Sequence, residues 1–389
     1  MLNSLSAESA VLPVSTYLFM VIPAVMKGAI THLLNTRNAV GCTNTRLTPG
    51  VKTMPTQSND VRISVLVMGF KRREFIRQAL ESVIAQSLPK EHYETICVLG
   101  FRDEALSAFM QINFIRELYC DGSLGNRLAL GLRECRGEIV CFLDDDDMFE
   151  MHKLQRVAET FNNFPNIIYY HNNVSLIDGS SNPILQYISP YSFQINKSFL
   201  WVPLKGWSGV LNHRGDFNMS SICIRRSRAI ELLSLLDAVE ASPDSIIFFM
   251  LMEMNGTFYF DKEALTLYRI HESETNMLKP STQDDGRGRQ TAVKFYRSRL
   301  KAYQQLRTPA VRRIFLGYVL DSKFGAYIAG EDSLKPTFLE ALIFFGISLA
   351  RPSPFYFRLL TGAIVYRFRP GFVRKLQNKR TSKRYEKLQ

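Results

Sequence analysis

The chain has 389 residues, 46% hydrophobic and 22% charged, values that exclude a collagen-like or wholly disordered chain and allow one large domain with extensions. Its net charge of +12 sits at the ends: Arg367–Gln389 carries nine Lys or Arg against Glu386, residues 1–60 carry four against two, and about +2 remains for everything between. A body without a basic stripe argues against nucleic acid as a partner, whereas the basic tail suits an anionic membrane surface or another polyanion.

Residues 1–60 are expected to form an N-terminal extension and linker. Val11–Met26 is apolar but interrupted by Pro13 and Pro23, is preceded by no basic region, and is too short for a spanning helix; a polar stretch rich in Thr, Asn, Gly and Pro follows. One reading has translation begin at Met54. From Val61 the pattern changes. Val61 to Met68 is a β-rich run, and residues 73–86 place Phe75, Ile76, Ala79, Leu80, Val83 and Ile84 at the spacing of one helix face. A strand at Tyr93 to Leu99, a short helix at Glu104 to Gln111, a strand at Ile115 to Tyr119 and a helix at Gly125 to Cys135 follow in turn. Alternation of this kind predicts an α/β fold whose ligands sit beyond the carboxyl ends of parallel strands.

The next strand, from Glu138 to Leu143, stops abruptly at Asp144-Asp145-Asp146-Asp147. Adjacent carboxylates repel one another, and a divalent cation, which hard oxygen ligands suit, relieves that repulsion. The competing reading is a solvated acidic turn capping a helix that begins near Met148. Beyond it the pattern predicts a helix over His152 to Phe164, a strand at Ile167 to Tyr170, and a long irregular segment from Asp178 to Gly215 containing Trp201, Trp207 and His213. Then come a strand at Asn218 to Ile224, helices over Ser227 to Val239 and Asp244 to Met254, and strands at Thr257 to Phe260 and Ala264 to Arg269. A polar linker at 283–289 leads to a helical region over 290–368 and a basic tail at 369–389. Within it Thr337 to Ala350 and Phe355 to Phe368 are apolar runs too short to span a bilayer. They read either as a helix pair lying in the membrane interface or as a hairpin packed on the preceding domain. Of the six cysteines, none forms a CxxC pair; Cys97 and Cys141 read as small core residues, and the set as a whole points to a reducing cytoplasm.

Three segments, ISVLVMGFKRREFIRQALESVIAQSLP (63–89), RGEIVCFLDDDDMF (136–149) and LTLYRIHESETN (265–276), occur in the order and spacing of a known family. The span from Ile63 to Asn276 resembles a family 2 glycosyltransferase of the GT-A fold, inverting, hexosyltransferase-type, and closest to archaeal members. The resemblance implies an α/β domain over 61–280 with a Rossmann-like, mostly parallel sheet, a nucleotide-diphosphate sugar as donor, a glycan or lipid-linked acceptor, and Mg²⁺ or Mn²⁺. It assigns metal binding to Asp146, Asp147 and His271, and donor binding to Phe70, Arg72, Asp103, Asp144 and Asp145, with Asp145 turned towards the protein because neighbours on a strand face opposite sides. Phe70 would stack on the base and Arg72 pair with base or phosphate, though Lys71–Arg73 also reads as a solvated helix start.

Two departures from the family pattern bear on these assignments. The second strand runs into Gly100-Phe101-Arg102-Asp103 where acidic residues usually hold the base, and Leu128-Ala129 stand in place of an Arg-Asn pair, with Asn126 and Arg127 nearby. An inverting transfer also needs a base for the acceptor hydroxyl. Asp244, in Ser242-Pro243-Asp244-Ser245, is the candidate, with Asp237 and Glu240 as rivals and plain helix capping as the alternative. Arg269 is expected to assist His271; His171 with Asn172, and Trp207 with His213, are candidate acceptor or sugar contacts, with loop packing as the favoured alternative. The expected function is glycosyl transfer at a cytoplasmic membrane face; the alternative is a non-catalytic scaffold that binds nucleotide sugar or glycan.

Overall fold

The computed structural model describes residues 62–70, 72–184, 197–203, 215–271 and 287–350. The expectations for residues 1–60, Lys71, Trp207, His213, the run 355–368 and the basic tail lie outside them. The first half winds as strand β1 (Ile63–Gly69), helix α1 (Arg73–Ile84), β2 (Tyr93–Leu99), α2 (Glu104–Ile112), β3 (Arg116–Tyr119), α3 (Leu124–Glu134) and β4 (Ile139–Asp144). These boundaries follow the apolar runs and lie within two residues of those read from the sequence.

Met148 does not open a helix. Met148–Phe149 is a two-residue strand, β5, followed by α4 (Lys153–Asn163) and β6 (Ile167–Ile177), which is longer than expected. Next come β7 (Phe199–Trp201), a 3-10 turn at Met219–Ser221, and β8 (Ile222–Arg225). The helix expected over 227–239 is two short ones, α5 (Arg226–Glu231) and α6 (Leu233–Leu236). Helix α7 (Pro243–Leu251) leads to β9 (Thr257–Arg269), one strand where two were expected. The polar Asp261-Lys262-Glu263 break is carried inside the strand because the Asp261 carboxylate, fully buried, is held by Arg156, Tyr170 and Ser198. Helices α8 (Arg287–Gln305), α9 (Pro309–Ile328) and α10 (Phe338–Ala350) close the described chain.

The strands form one sheet in the order β3-β2-β1-β4-β8-β6-β9-β5, with β7 on β9. The long ladders, β1 with β2 and β4 and β6 with β9, are parallel; β8, β5 and β7 pair antiparallel over two or three residues at a time. Because the chain runs from β1 outward to β3 and then returns to β4, the strand order reverses between β1 and β4. The crevice at their carboxyl ends is where an open α/β sheet takes its ligand.

Side chains alternate along the central strands into two cores. Val65, Val67, Cys97 and Cys141 face a core shared with α1, α2 and α4. Leu66, Met68, Val140 and Phe142 face another shared with α3, α5, α6, α7 and also α8 and α9. The C-terminal helices therefore belong to the same hydrophobic unit as the sheet. The Phe249 ring on α7 lies 4.8 Å from Phe315 and 5.0 Å from Tyr318, both on α9. Replacing fully buried Phe315 by Ala is expected to lower unfolding free energy by about 3–5 kcal/mol in denaturant titration. A loss below about 1 kcal/mol would mean α9 only leans on the domain.

Candidate functional site

The strand order brings the loop after β1 and the acidic turn after β4 to one crevice. Asp144, Asp146 and Asp147 each offer a carboxylate oxygen, all within 4.8 Å of one another. Asp145 is the neighbour that turns inward. Its fully buried carboxylate accepts the Phe70 backbone N–H at 2.8 Å and pairs with Arg72 at 2.7 Å. Arg72 also pairs with Asp146, so one guanidinium bridges the two loops. Burial works against its charge, but Asp146 and Asp145, then Asp144 and Asp147, more than reverse that and push its pKa up.

His271 reaches the cluster from far along the chain. Strand β5 pairs antiparallel with the end of β9, Met148 opposite Leu267 and Phe149 opposite Thr266, so the residues after β9 return to the acidic turn. There the Arg269 backbone N–H donates to Asp147 at 3.0 Å, and its Nε donates to the Asp146 carbonyl at 2.8 Å. The rest of the buried guanidinium donates to Ser181 Oγ at 2.9 Å, to the Asp178 carbonyl at 3.1 Å and to Gln78 Oε1 at 2.7 Å, tying α1 and the start of the long loop to the same turn. Two residues on, His271 Nε2 lies 2.8 Å from Asp146 Oδ2, with its ring 4.9 Å from that of Phe75. His271 thus touches the cluster as a hydrogen-bond partner of Asp146; the three-carboxylate group itself is Asp144, Asp146 and Asp147.

Beneath the turn lie residues that no sequence motif marked. Ser220 Oγ accepts the Asp144 backbone N–H at 3.0 Å. The Ser220 carbonyl accepts from Lys153 Nζ and from Thr266 Oγ1. Lys153 is fully buried, and burial pulls its ammonium down to about 8. An apolar helix face gave no reason to expect a cation there.

The electrostatics are those of a crowded anion. Burial, reinforced by Asp146, pushes Asp147 up to about 7. Burial pushes Asp145 up to about 6 despite Arg72. Burial and the charges of Asp146 and Asp147 raise Asp144 well above the carboxylate range. Asp146 alone moves down: burial opposes its charge, but the His271 hydrogen bond and Arg72 prevail. The cluster holds more negative charge than Arg72 offsets, and its donors are all hard oxygens. These residues fit a divalent cation of the Mg²⁺ or Mn²⁺ type.

Phe70 and Asp103, expected to hold the donor, each have protein partners beside them. Phe70 is partly exposed, and the buried Arg127 guanidinium lies 4.2 Å from its ring centroid. Arg127 is thus brought to the site although its helix register differs from the family pattern. Asp103 caps α2 by accepting the Leu106 N–H at 3.0 Å and lies 3.6 Å from Arg73, contacts that compete with holding a base. Asp244 stands in the first turn of α7, half-buried, after Ser242 in a left-handed conformation (φ 59°). Its charge acts on buried Tyr169, whose pKa is raised by burial first and then by Asp216 and Asp244. Of its rivals, Asp237 accepts from Asn126 on α3 at 3.0 Å, and the Glu240 backbone N–H donates to Ser298 at 2.9 Å. His171 is buried, donates to or accepts from nothing at Nδ1, contacts the Phe217 carbonyl at 2.7 Å through Nε2, and is pulled down to about 4 by burial. Asn172 likewise bonds inward, to Thr266.

A carboxylate cluster at the switch point of such a mixed sheet defines the GT-A class of fold, and solved structures agree. S. aureus TarS 1–349 in complex with UDP-GlcNAc superposes with a TM-score of 0.52 at 13% identity, covering 84% of this chain and 91% of that one. Residues 64–217 match the family model Glycosyl transferase family 2. An uncharacterised glycosyltransferase of Haemophilus influenzae is 24% identical over 227 residues, 57% of this chain and 72% of its own length. A Nostoc sp. glycosyltransferase is 27% identical over 135 residues, 32% of this chain and 40% of that relative. The chain thus spans well under half of the Nostoc protein. Over that part of its length the chain is thus similar to family 2 glycosyltransferases.

The raised carboxylates set a sign for pH dependence. Between an unfolded value of about 4 and the folded values near 6 and 7, the folded chain keeps protons that the unfolded chain has released. Stability without metal therefore falls as pH rises through that window. A cation among the carboxylates offsets the loss, so the thermal shift caused by Mn²⁺ is expected to grow from about pH 5.5 to about pH 8. A shift independent of pH, measured by scanning fluorimetry, would place the cation elsewhere.

Proposed function

We propose that the chain is an inverting, metal-assisted glycosyltransferase that moves a hexose from a nucleotide-diphosphate sugar to a glycan or lipid-linked acceptor at a membrane face. The observation that carries this reading is the group of Asp144, Asp146 and Asp147 at the carboxyl end of β4, inside the segment matched by the family model. TarS, which shares the fold, binds UDP-GlcNAc, and this supports a nucleotide-sugar donor. A Bacillus spizizenii poly(ribitol-phosphate) beta-glucosyltransferase, 25% identical over 104 residues, matches 16% of its own length and supports sugar transfer without naming an acceptor for this chain.

In this proposal Phe70 stacks on the base, Arg72 pairs with the diphosphate, and Asp103 lies at the rim. Asp144, Asp146 and Asp147 would hold Mg²⁺ or Mn²⁺, with His271 fixing Asp146; bound there, the cation offsets the charge that develops on the leaving diphosphate. Asp244 takes the proton of the acceptor hydroxyl as that oxygen attacks the anomeric carbon from the face opposite the nucleotide. The new carbon–oxygen bond forms as the bond to the diphosphate breaks, and the nucleoside diphosphate leaves.

Screening nucleotide sugars for release of nucleoside diphosphate tests the proposal. Both Asp146→Asn and Asp244→Asn are expected to lower kcat/KM by at least about 100-fold. Only Asp146→Asn should also abolish the Mn²⁺-dependent stabilisation by nucleoside diphosphate. If both variants turn over like the parent, the domain binds its ligand without these residues catalysing transfer.

A further inference from the structure

Helix α10 is apolar on two sides. One side packs on α9: Phe344 is fully buried with its ring 4.8 Å from that of Phe324, and Ala341, Ile343 and Ile347 pack around it. The other side carries Phe338, Leu342 and Phe345, spaced i, i+4 and i+7, with Leu339 beside them, and these are 79%, 45%, 38% and 39% exposed. A helix that only covers a soluble body presents polar residues outward, and an apolar stripe left in water is a cost that contact elsewhere removes.

The C-terminal part of the sequence, to which this helix belongs, is strongly basic. Residues 287–389 carry 22 Lys or Arg against 5 Asp or Glu, a net +17, whereas residues 61–286 carry 22 against 29, a net −7. On α8 and the turn after it, Arg289, Lys294, Arg297, Lys301 and Arg307 are exposed. Among the described residues no helix is long and apolar enough to cross a membrane, and the 13 described residues of α10 span about 20 Å. Surface insertion, not spanning, fits that length.

We propose that the outer face of α10 docks into an anionic lipid bilayer, with Phe338, Leu339, Leu342 and Phe345 at the boundary of the acyl chains and cations of the basic C-terminal region on the headgroups. A soluble polyanion would engage the cations and leave the apolar stripe unused. A second copy of the chain would bring +17 against +17. Docking would also set the orientation of the transferase crevice, because α10 grips α9 through Phe344 and α9 grips α7 through Phe315. The inference names the partner for the membrane-face part of the proposed function and rests on that part alone.

The test is flotation of the full chain with vesicles of phosphatidylcholine, with and without added phosphatidylglycerol. The parent is expected to float with the anionic vesicles and not with the neutral ones. A Phe338→Ser, Leu342→Ser, Phe345→Ser triple variant should lose at least about 10-fold in partitioning, while its melting temperature and soluble donor hydrolysis stay unchanged. The single change Phe338→Ser, at a side chain too exposed to affect folding, should give a smaller loss in the same direction. A parent that does not float, or a triple variant that floats equally well, overturns the proposal. So does a parent that self-associates through this stripe in sedimentation, or one that binds polyphosphate in preference to vesicles. If the parent floats as expected but hydrolyses no nucleotide sugar, docking stands and the transferase reading falls.

Discussion

Everything near the crevice follows from the crowding of four consecutive carboxylates at the end of one buried strand. Asp145 and Asp147 are almost wholly removed from water, Asp146 nearly so, and burial pushes all four carboxylates up, a push that His271 and Arg72 reverse at Asp146 alone. Such a turn persists in a folded chain only if positive charge and N–H donors surround it. Arg72 supplies the charge from one side, and the Phe70 and Arg269 backbone N–H groups, with His271, supply donors from the others.

That requirement explains why distant segments meet. The two-residue β5 has little stability of its own, yet its pairing with Leu267 and Thr266 returns the chain after β9 to the acidic turn. Arg269 then spends its whole guanidinium on Asp146, the 178–181 loop and Gln78. The turn, the first helix and the entry to the long loop become one rigid assembly. The Lys153–Ser220–Thr266 network supports that assembly from below, so the carboxylates are held by two layers of polar contacts instead of by the turn alone.

Helix α7, which carries the proposed base, rests on packing. Helix α7, with Asp244 in its first turn, is anchored by Phe249 against Phe315 and Tyr318 on α9. The chain beyond the sheet thereby helps to fix α7, although more than fifty residues separate them. The strained Ser242 at the start of α7, with Arg299 of α8 within 3.4 Å of its hydroxyl, is a further link between the two regions.

The winding from β1 to β4 was legible because each strand is a short unbroken apolar run and each helix carries a 3.6-residue apolar face. The acidic cluster was legible for the same reason: a buried strand cannot end in four carboxylates without a purpose for them. Met148 misled because helix capping by Asp is a local rule, while β5 exists only through pairing with a strand more than a hundred residues away. The break in β9 misled because a polar triplet looks like a turn until Asp261 is seen to be paired inside the fold. Sequence alone determined the order of the elements, the place of the carboxylates and the apolar character of α10, since these depend on neighbours in the chain. Only the tertiary structure decided that inward-turned Asp145 meets Arg72 and the Phe70 N–H, that His271 rests on Asp146, that buried Lys153 and Arg127 stand behind the site, and which face of α10 is left open. Those outcomes depend on contacts between residues that chain order does not bring together.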